Sequence, residues 1–104
     1  PVSAIVNINM VHIAPWSCCE GLFRGSSQVL RSGDLLLLYG PFKRGGQHMA
    51  PSNSAFDEHL RSQDPRWGVR DLEAVIDTAD DRGFEYQTDI PMPANNLMLL
   101  FRRG

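Results

Sequence analysis

The sequence predicts an α/β domain, a parallel sheet closed by an antiparallel pair of strands and flanked by helices. Three observations predict it. Ala4 to Met10 and Leu35 to Tyr39 are short, nearly continuous apolar runs, the pattern of strands buried on both faces. Between them an amphipathic segment, Ser17 to Leu30, is long enough for a right-handed crossover between parallel strands. The last two strand-like runs, Glu85 to Ile90 and Leu97 to Phe101, are joined by a turn too short for a crossover, so they lie antiparallel.

Each element has its own signal. The first strand is broken only by Asn7 and Asn9. Ser17 with Glu20 three residues later reads as a capping box. Cys19, Leu22, Phe23 and Ser26 then make an i, i+3, i+4, i+7 stripe, which Val29 and Leu30 extend. Arg31 gives a basic last turn and Gly33 a stop. The second strand is wholly apolar and so central. Residues 40–53 read as a loop rich in Gly and Pro, long enough to suggest function. A short helix over Ser52 to Gln63 is capped by Ser52 or Asn53 and carries Phe56 and Leu60 at i, i+4. Arg70 to Arg82 is the strongest helix: Leu72, Val75, Ile76 and Ala79 form its stripe, Asp71 and Glu73 its acidic first turn, Gly83 its stop. Glu85 to Ile90 is polar and edge-like. The apolar last strand is expected to insert inside the sheet.

Composition excludes several classes. The 104 residues make one domain at most, 42% hydrophobic and 21% charged, as in ordinary globular proteins. A net charge of -2 gives no support for nucleic-acid binding. No apolar run approaches a membrane span and no secretory leader is visible, so the expected location is cytosol or nucleus. The two cysteines, Cys18 and Cys19, are adjacent and cannot staple the fold; Cys19 is expected inside and Cys18 outside. No ligand spacing for a metal exists.

Particular stretches are more specific than the topology. Asn7 to Trp16 (NINMVHIAPW) and Val29 to Phe42 (VLRSGDLLLLYGPF) resemble the fourth strand, the following helix end and the fifth strand of class I S-adenosylmethionine-dependent methyltransferases. Ser32 and Asp34 stand where Pro and Gly are usual, and both are tolerable turn residues. More narrowly, the chain is similar to the methyltransferase-like 26 family, a domain of unknown function. The residues that carry this are Asn9-Met10 with His12 and Pro15-Trp16, Tyr39 to Phe42, Ser52-Asn53 with Phe56-Asp57, Trp67 to Leu72, and Met92 to Asn96. The resemblance implies a partial Rossmann-like methyltransferase sheet. This chain, residues 1–104, would supply strands 4, 5, 7 and 6 of a seven-stranded sheet ordered 3-2-1-4-5-7-6. The family's glycine-rich turn after strand 1 and the acidic end of strand 2 lie outside these residues. The resemblance therefore makes the chain a C-terminal half, with the cofactor-binding half absent, inactive alone and open along residues 4–10.

The resemblance implies S-adenosylmethionine as cofactor of the complete protein, since ligands of open α/β sheets sit beyond the carboxyl ends of strands near the switch point. Asn9 and Met10 would touch it; alternatively Met10 packs the core and Asn9 caps a strand end. His12 reads either as a general base or as a neutral loop histidine that positions Trp16. Tyr39, Phe42, Ser52, Asn53, Phe56, Asp57, Trp67 and Arg70 would roof the site of a small-molecule or otherwise unknown methyl acceptor. The alternative is an internally packed loop, with Arg70 paired to Asp57 or Asp71 and Trp67 as its apolar plug. Asn95, with Asn96, either lines substrate or turns a hairpin. His48 and His59 read as solvent-facing. No nucleic-acid or membrane partner is expected. The contrasting expectation is a non-enzymatic fragment or isoform that pairs its open strand, residues 4–10, with a second copy or another chain.

Overall fold

The structure, a computed structural model, describes residues 3–104. The described residues form four strands and three α-helices, in the order β1 (Ala4–Ile8), α1 (Trp16–Val29), β2 (Leu35–Gly40), α2 (Pro51–Gln63), α3 (Leu72–Asp80), β3 (Phe84–Met92) and β4 (Asn96–Arg103). The sheet order is β1-β2-β4-β3. β1 runs parallel to β2, with Ile5 opposite Leu36; β4 runs antiparallel to both β2 and β3. The last strand is thus inserted, leaving the polar β3 at one edge and β1 at the other.

Alternation along β2 and β4 sets the core. Leu36 and Leu38 face the same way as Leu97, Leu99 and Phe101, and all five are buried. Cys19 and Phe23 from α1 and Leu72, Val75 and Ala79 from α3 pack on that face. Phe23 meets Phe101 edge-on at 5.5 Å and tilts against Phe84 at 5.8 Å, geometries that aromatic quadrupoles favour. Cys18 is exposed and Cys19 buried.

β1 is not sheathed on both faces. Ile5 packs on the core, but Val6 and Ile8 point to the opposite face and are 57% and 64% exposed. The strand also stops sooner than its apolar run. Asn9 turns left-handed at φ 61°, and its carbonyl accepts the N–H groups of His12 and Ile13, closing a turn where Met10 and Val11 had extended the apolar pattern.

Both long helices start without a side-chain cap. Pro15 stands at the N-cap of α1, so Ser17 lies inside the helix and no capping box forms. Ala50 precedes α2 and Pro51 supplies a preset φ at its first position, displacing Ser52 and Asn53 inward. α1 ends at Val29, which is 55% exposed, so Arg31 falls outside the last turn and Gly33 (φ 89°) serves the turn into β2. α3 begins at Leu72 rather than Arg70, because residues 68–70 form no regular structure and are bonded elsewhere. In the β3–β4 turn, Pro93–Asn95, Ala94 (φ 60°) and Asn95 (φ 59°) are left-handed, the conformation expected of an Asn there.

Candidate functional site

Two clefts open around α2, and the polar inner face of that helix separates them. A helix usually buries an apolar stripe; α2 buries Asn53, Asp57 and Leu60, two of them polar. Polar groups so buried need partners. Asn53 Nδ2 donates to the Asn95 carbonyl at 3.1 Å, tying α2 to the β3–β4 turn. Asp57 Oδ1 accepts the Val69 N–H at 2.9 Å, and Oδ2 faces His48 Nε2 at 3.3 Å and Arg61 Nη2 at 3.1 Å.

The first cleft, about 280 Å³, lies beyond the carboxyl ends of β1 and β2. Asn9, Ser52, Asn53, Phe56 and Asn96 line it, with Pro41 and Ala94. At its base, Asn9 Oδ1 is buried and has no hydrogen-bond partner among the described residues; nor has His12 Nε2. Both converge on Gly40. A Cβ there would stand 2.5 Å from His12 Nε2 and 3.1 Å from Asn9 Oδ1, so only glycine leaves that space open.

His12 itself is fully buried, edge-on to Phe42 at 4.6 Å. Its carbonyl accepts the Gly68 N–H and its Nδ1 the Arg70 N–H, at 2.9 and 3.0 Å. An accepting Nδ1 puts the proton of the neutral ring on Nε2. Burial, and then the nearby Arg70 charge, push its pKa from 6.5 down to about 4. The ring is neutral at physiological pH and its one basic lone pair is taken, an arrangement that suits a donor or a strut better than a base.

The second cleft, about 430 Å³, is polar. Lys43, His48, Asp57, Arg61, Trp67 and Arg70 contribute to its walls. The loop that carries Lys43 and His48 is shaped by Gly45 (φ 60°) and Gly46 (φ 75°), a pair fit for a tight two-residue turn. Arg44 and Gln47 exchange backbone bonds across it. Lys43 N–H in turn donates to the Arg70 carbonyl at 2.9 Å, pinning loop to wall. Arg70 is half-buried over the Trp16 ring, 5.4 Å from its centroid.

The eight residues expected to roof one site are therefore divided. Ser52, Asn53 and Phe56 go to the first cleft; Asp57, Trp67 and Arg70 go to the second. Phe42 is fully buried in the core and presents nothing to a ligand. Tyr39 is half-buried, and its carbonyl accepts the Asn9 N–H at 2.9 Å. Met10 is half-buried against the core cluster, and Asn95 contributes its carbonyl to Asn53. Neither expected ion pair of Arg70 forms: its Nε and Nη2 donate to the carbonyls of Val11, Ala14 and Arg66 instead. Nor is His48 solvent-facing, since it sits 3.3 Å from Asp57. Trp16 is held against Arg70, with no bond to His12 among the described residues.

Lys43, His48 and Arg61 were not singled out as site residues. Arg61 was within reach, because it stands one helical turn from Asp57. The other two needed the Gly45-Gly46 turn to be read as a hairpin. Among the described residues no three His, Cys, Asp or Glu side chains gather closely enough for a metal ion, and no helix is long and apolar enough to cross a membrane.

A family model described as "Protein of unknown function (DUF938)" matches residues 1–103. Solved structures share the fold at low identity. An O-methyltransferase family 2 protein from Planctomyces limnophilus DSM 3776, in complex with apigenin, superposes with TM-score 0.90 at 18% identity, over 100% of this chain and 31% of its own. Human N-acetylserotonin methyltransferase, in complex with SAM, gives 0.86 at 14% identity, over 98% and 29%. Mitomycin 7-O-methyltransferase MmcR gives 0.87 at 13% identity, over 100% and 30%. The chain spans under a third of the length of these solved chains.

Proposed function

The chain belongs to the DUF938 family, and on that premise we propose that the complete protein is a class I S-adenosylmethionine-dependent methyltransferase. This chain contributes its sheet half nearest the methyl acceptor. The stretches Asn9 to Trp16, Tyr39 to Phe42 and Trp67 to Leu72 support the narrower reading of a methyltransferase-like 26 protein.

The observation that carries the reading is Asn9. Its Oδ1 is an unpartnered, buried acceptor at the carboxyl end of β1, opening on a cleft that Gly40 keeps clear. A buried acceptor without a partner costs about 1–3 kcal/mol. An ammonium donor such as the methionine end of the cofactor would satisfy it, so Asn9 fits one side of that group. Met10 follows at the same turn and borders it. When bound, the cofactor supplies an electrophilic methyl group on sulfonium.

The chain's own residues do the positioning. Phe56 offers the acceptor an apolar wall, while Ser52, Asn53 and Asn96 offer polar contacts. His12 stands behind Gly40 as a neutral support, its Nε2–H unpartnered among the described residues. Tyr39 holds the Asn9 backbone through its carbonyl. Asp57, Trp67, Arg70 and Asn95 hold or line the ground on either side of α2.

The test is calorimetric titration of the complete protein with S-adenosylmethionine. Micromolar binding that weakens about tenfold or more in Asn9→Ala is expected. Undiminished binding in the variant removes Asn9 from the site, and no binding by the complete protein removes the reading. The 104-residue chain alone is expected not to bind at micromolar concentration.

A second reading has its own observation. β1 is a sheet edge with Val6 and Ile8 exposed, which favours an interaction module pairing that strand with a second copy of the chain.

A further inference from the structure

The second cleft holds cations without counter-ions. Lys43, Arg61 and Arg70 line it against a single carboxylate, Asp57. That carboxylate is already spoken for by the Val69 N–H, Arg61 and His48. Lys43 and Arg70 have no carboxylate within ion-pair distance among the described residues. Asp71 borders the adjoining groove but lies beyond that distance from both. Arg70 is half-buried, where an unneutralised charge is costly. Its Nε and Nη2 are bonded to main-chain carbonyls, and its Nη1 has no partner among the described residues. His48, on the same wall, has a buried Nδ1 that is also without a partner.

The Lys43 backbone and the Arg70 side chain are held in place. The Lys43 backbone is bonded on both sides, its N–H to the Arg70 carbonyl at 2.9 Å and its carbonyl to the Leu72 N–H at 2.8 Å. Arg70 is fixed by three carbonyls and the Trp16 ring. Donors already positioned along an open cleft bind an anion at reduced ordering cost.

We propose that this cleft, between α2 and the Lys43–His48 loop, binds an oxyanion, a carboxylate or phosphate group, between the Lys43 ammonium and the free edge of the Arg70 guanidinium. The two N–H donors left on Nη1, with the Lys43 ammonium, suit either group as charge-assisted hydrogen bonds. Trp67 beside it supplies an apolar flank for the remainder of the ligand. The site lies on the other side of α2 from the first cleft and stands independently of methyl transfer.

The experiment is an NMR titration of the chain at constant ionic strength, with inorganic phosphate in one arm and benzoate in the other. No methyl donor is present, so failure here and failure of the methyltransferase reading are separate results. Saturable shifts at the amides of Lys43 and Arg70 and at the Trp67 indole are expected. Lys43→Gln should weaken binding about tenfold or more, and Lys43→Arg should largely restore it. Tighter phosphate identifies a phosphoryl ligand; tighter benzoate identifies an aromatic carboxylate. Absence of saturable shifts in both arms, or equal affinity in Lys43→Gln, overturns the proposal. A well-dispersed spectrum of the variant excludes unfolding as the cause of a loss.

Discussion

His12 Nδ1 accepts the backbone N–H of Arg70 at 3.0 Å, across 58 residues of chain. With the Gly68 N–H on the His12 carbonyl and the Val69 N–H on Asp57, three consecutive amides of an irregular segment are satisfied by two distant residues. Such buried amides must be bonded somewhere. His12 and Asp57 therefore act as the secondary structure that residues 68–70 lack.

Acid should destabilise the fold through His12. The folded-state pKa of His12 is depressed, from 6.5 to about 4, by burial first and the Arg70 charge second. The unfolded chain takes up a proton between those values that the folded chain refuses. The contribution is fully present above pH 6.5 and falls as pH drops toward 4, by about 3 kcal/mol over the window. Asp64, held down to about 2 by Arg66, acts only below its ordinary 3.8, outside that window. Urea unfolding at pH 7.5 and 4.5 measures the drop. His12→Leu should be less stable at neutral pH and lose much less on acidification. An equal drop in the variant assigns the effect elsewhere.

Two glycine substitutions should move stability in opposite directions. Gly40→Ala drives a Cβ to 2.5 Å from His12 Nε2 in a packed site, and should cost about 1–3 kcal/mol. Gly25 lies inside α1, with nothing within 4 Å of its Cβ position. Gly25→Ala should therefore stabilise by about 0.5–1 kcal/mol through helix propensity. Thermal melts of the two variants decide it, and a stable Gly40→Ala would contradict the close approach.

The adjacent thiols should react as different groups. Cys19 is fully buried, and desolvation pushes its pKa up to about 12, whereas Cys18 is exposed. Brief alkylation at pH 8 followed by peptide mass mapping should find label on Cys18 alone. Label on Cys19 should appear only after denaturation. Comparable labelling of both in the native chain would refute the packing of α1.

The open edge gives a prediction about association. Val6 and Ile8 are exposed on a strand with one free flank. If that flank pairs two copies, sedimentation should show a concentration-dependent dimer, and Val6→Lys with Ile8→Lys should return it to monomer. Charge is the usual guard of an exposed edge, so the double variant should stay folded.

The fold was legible because it rests on periodicity. β2 and β4 are apolar runs bounded by turn residues, and Leu72, Val75 and Ala79 repeat at helical spacing, so sheet order and helix faces could be read before contacts were known. Helix starts could not, since Pro15 and Ala50 occupy cap positions that Ser17 and Ser52 suit chemically. The clefts were half legible. Asn9 stood out as a polar break in an apolar run, whereas Asn53 and Asp57 stood out through the family resemblance. Their separation into two chambers depends on bonds such as Asp57 to Val69 and Asn53 to Asn95, the latter spanning 42 residues, which no local pattern encodes. His12 shows the same limit: burial, invisible in the sequence, turns a residue with the chemistry of a base into a neutral support.

The inner face of α2 separates support from lining. Asn53 and Asp57 are anchors that fasten the helix at two levels, while Ser52, Phe56 and Arg61 face the chambers from the same helix. Substitution at Ser52 or Phe56 reshapes a chamber wall, whereas substitution at Asn53 or Asp57 releases the helix from the β3–β4 turn or from Val69. Selectivity can then drift on either side of the helix without disturbing the sheet beneath it.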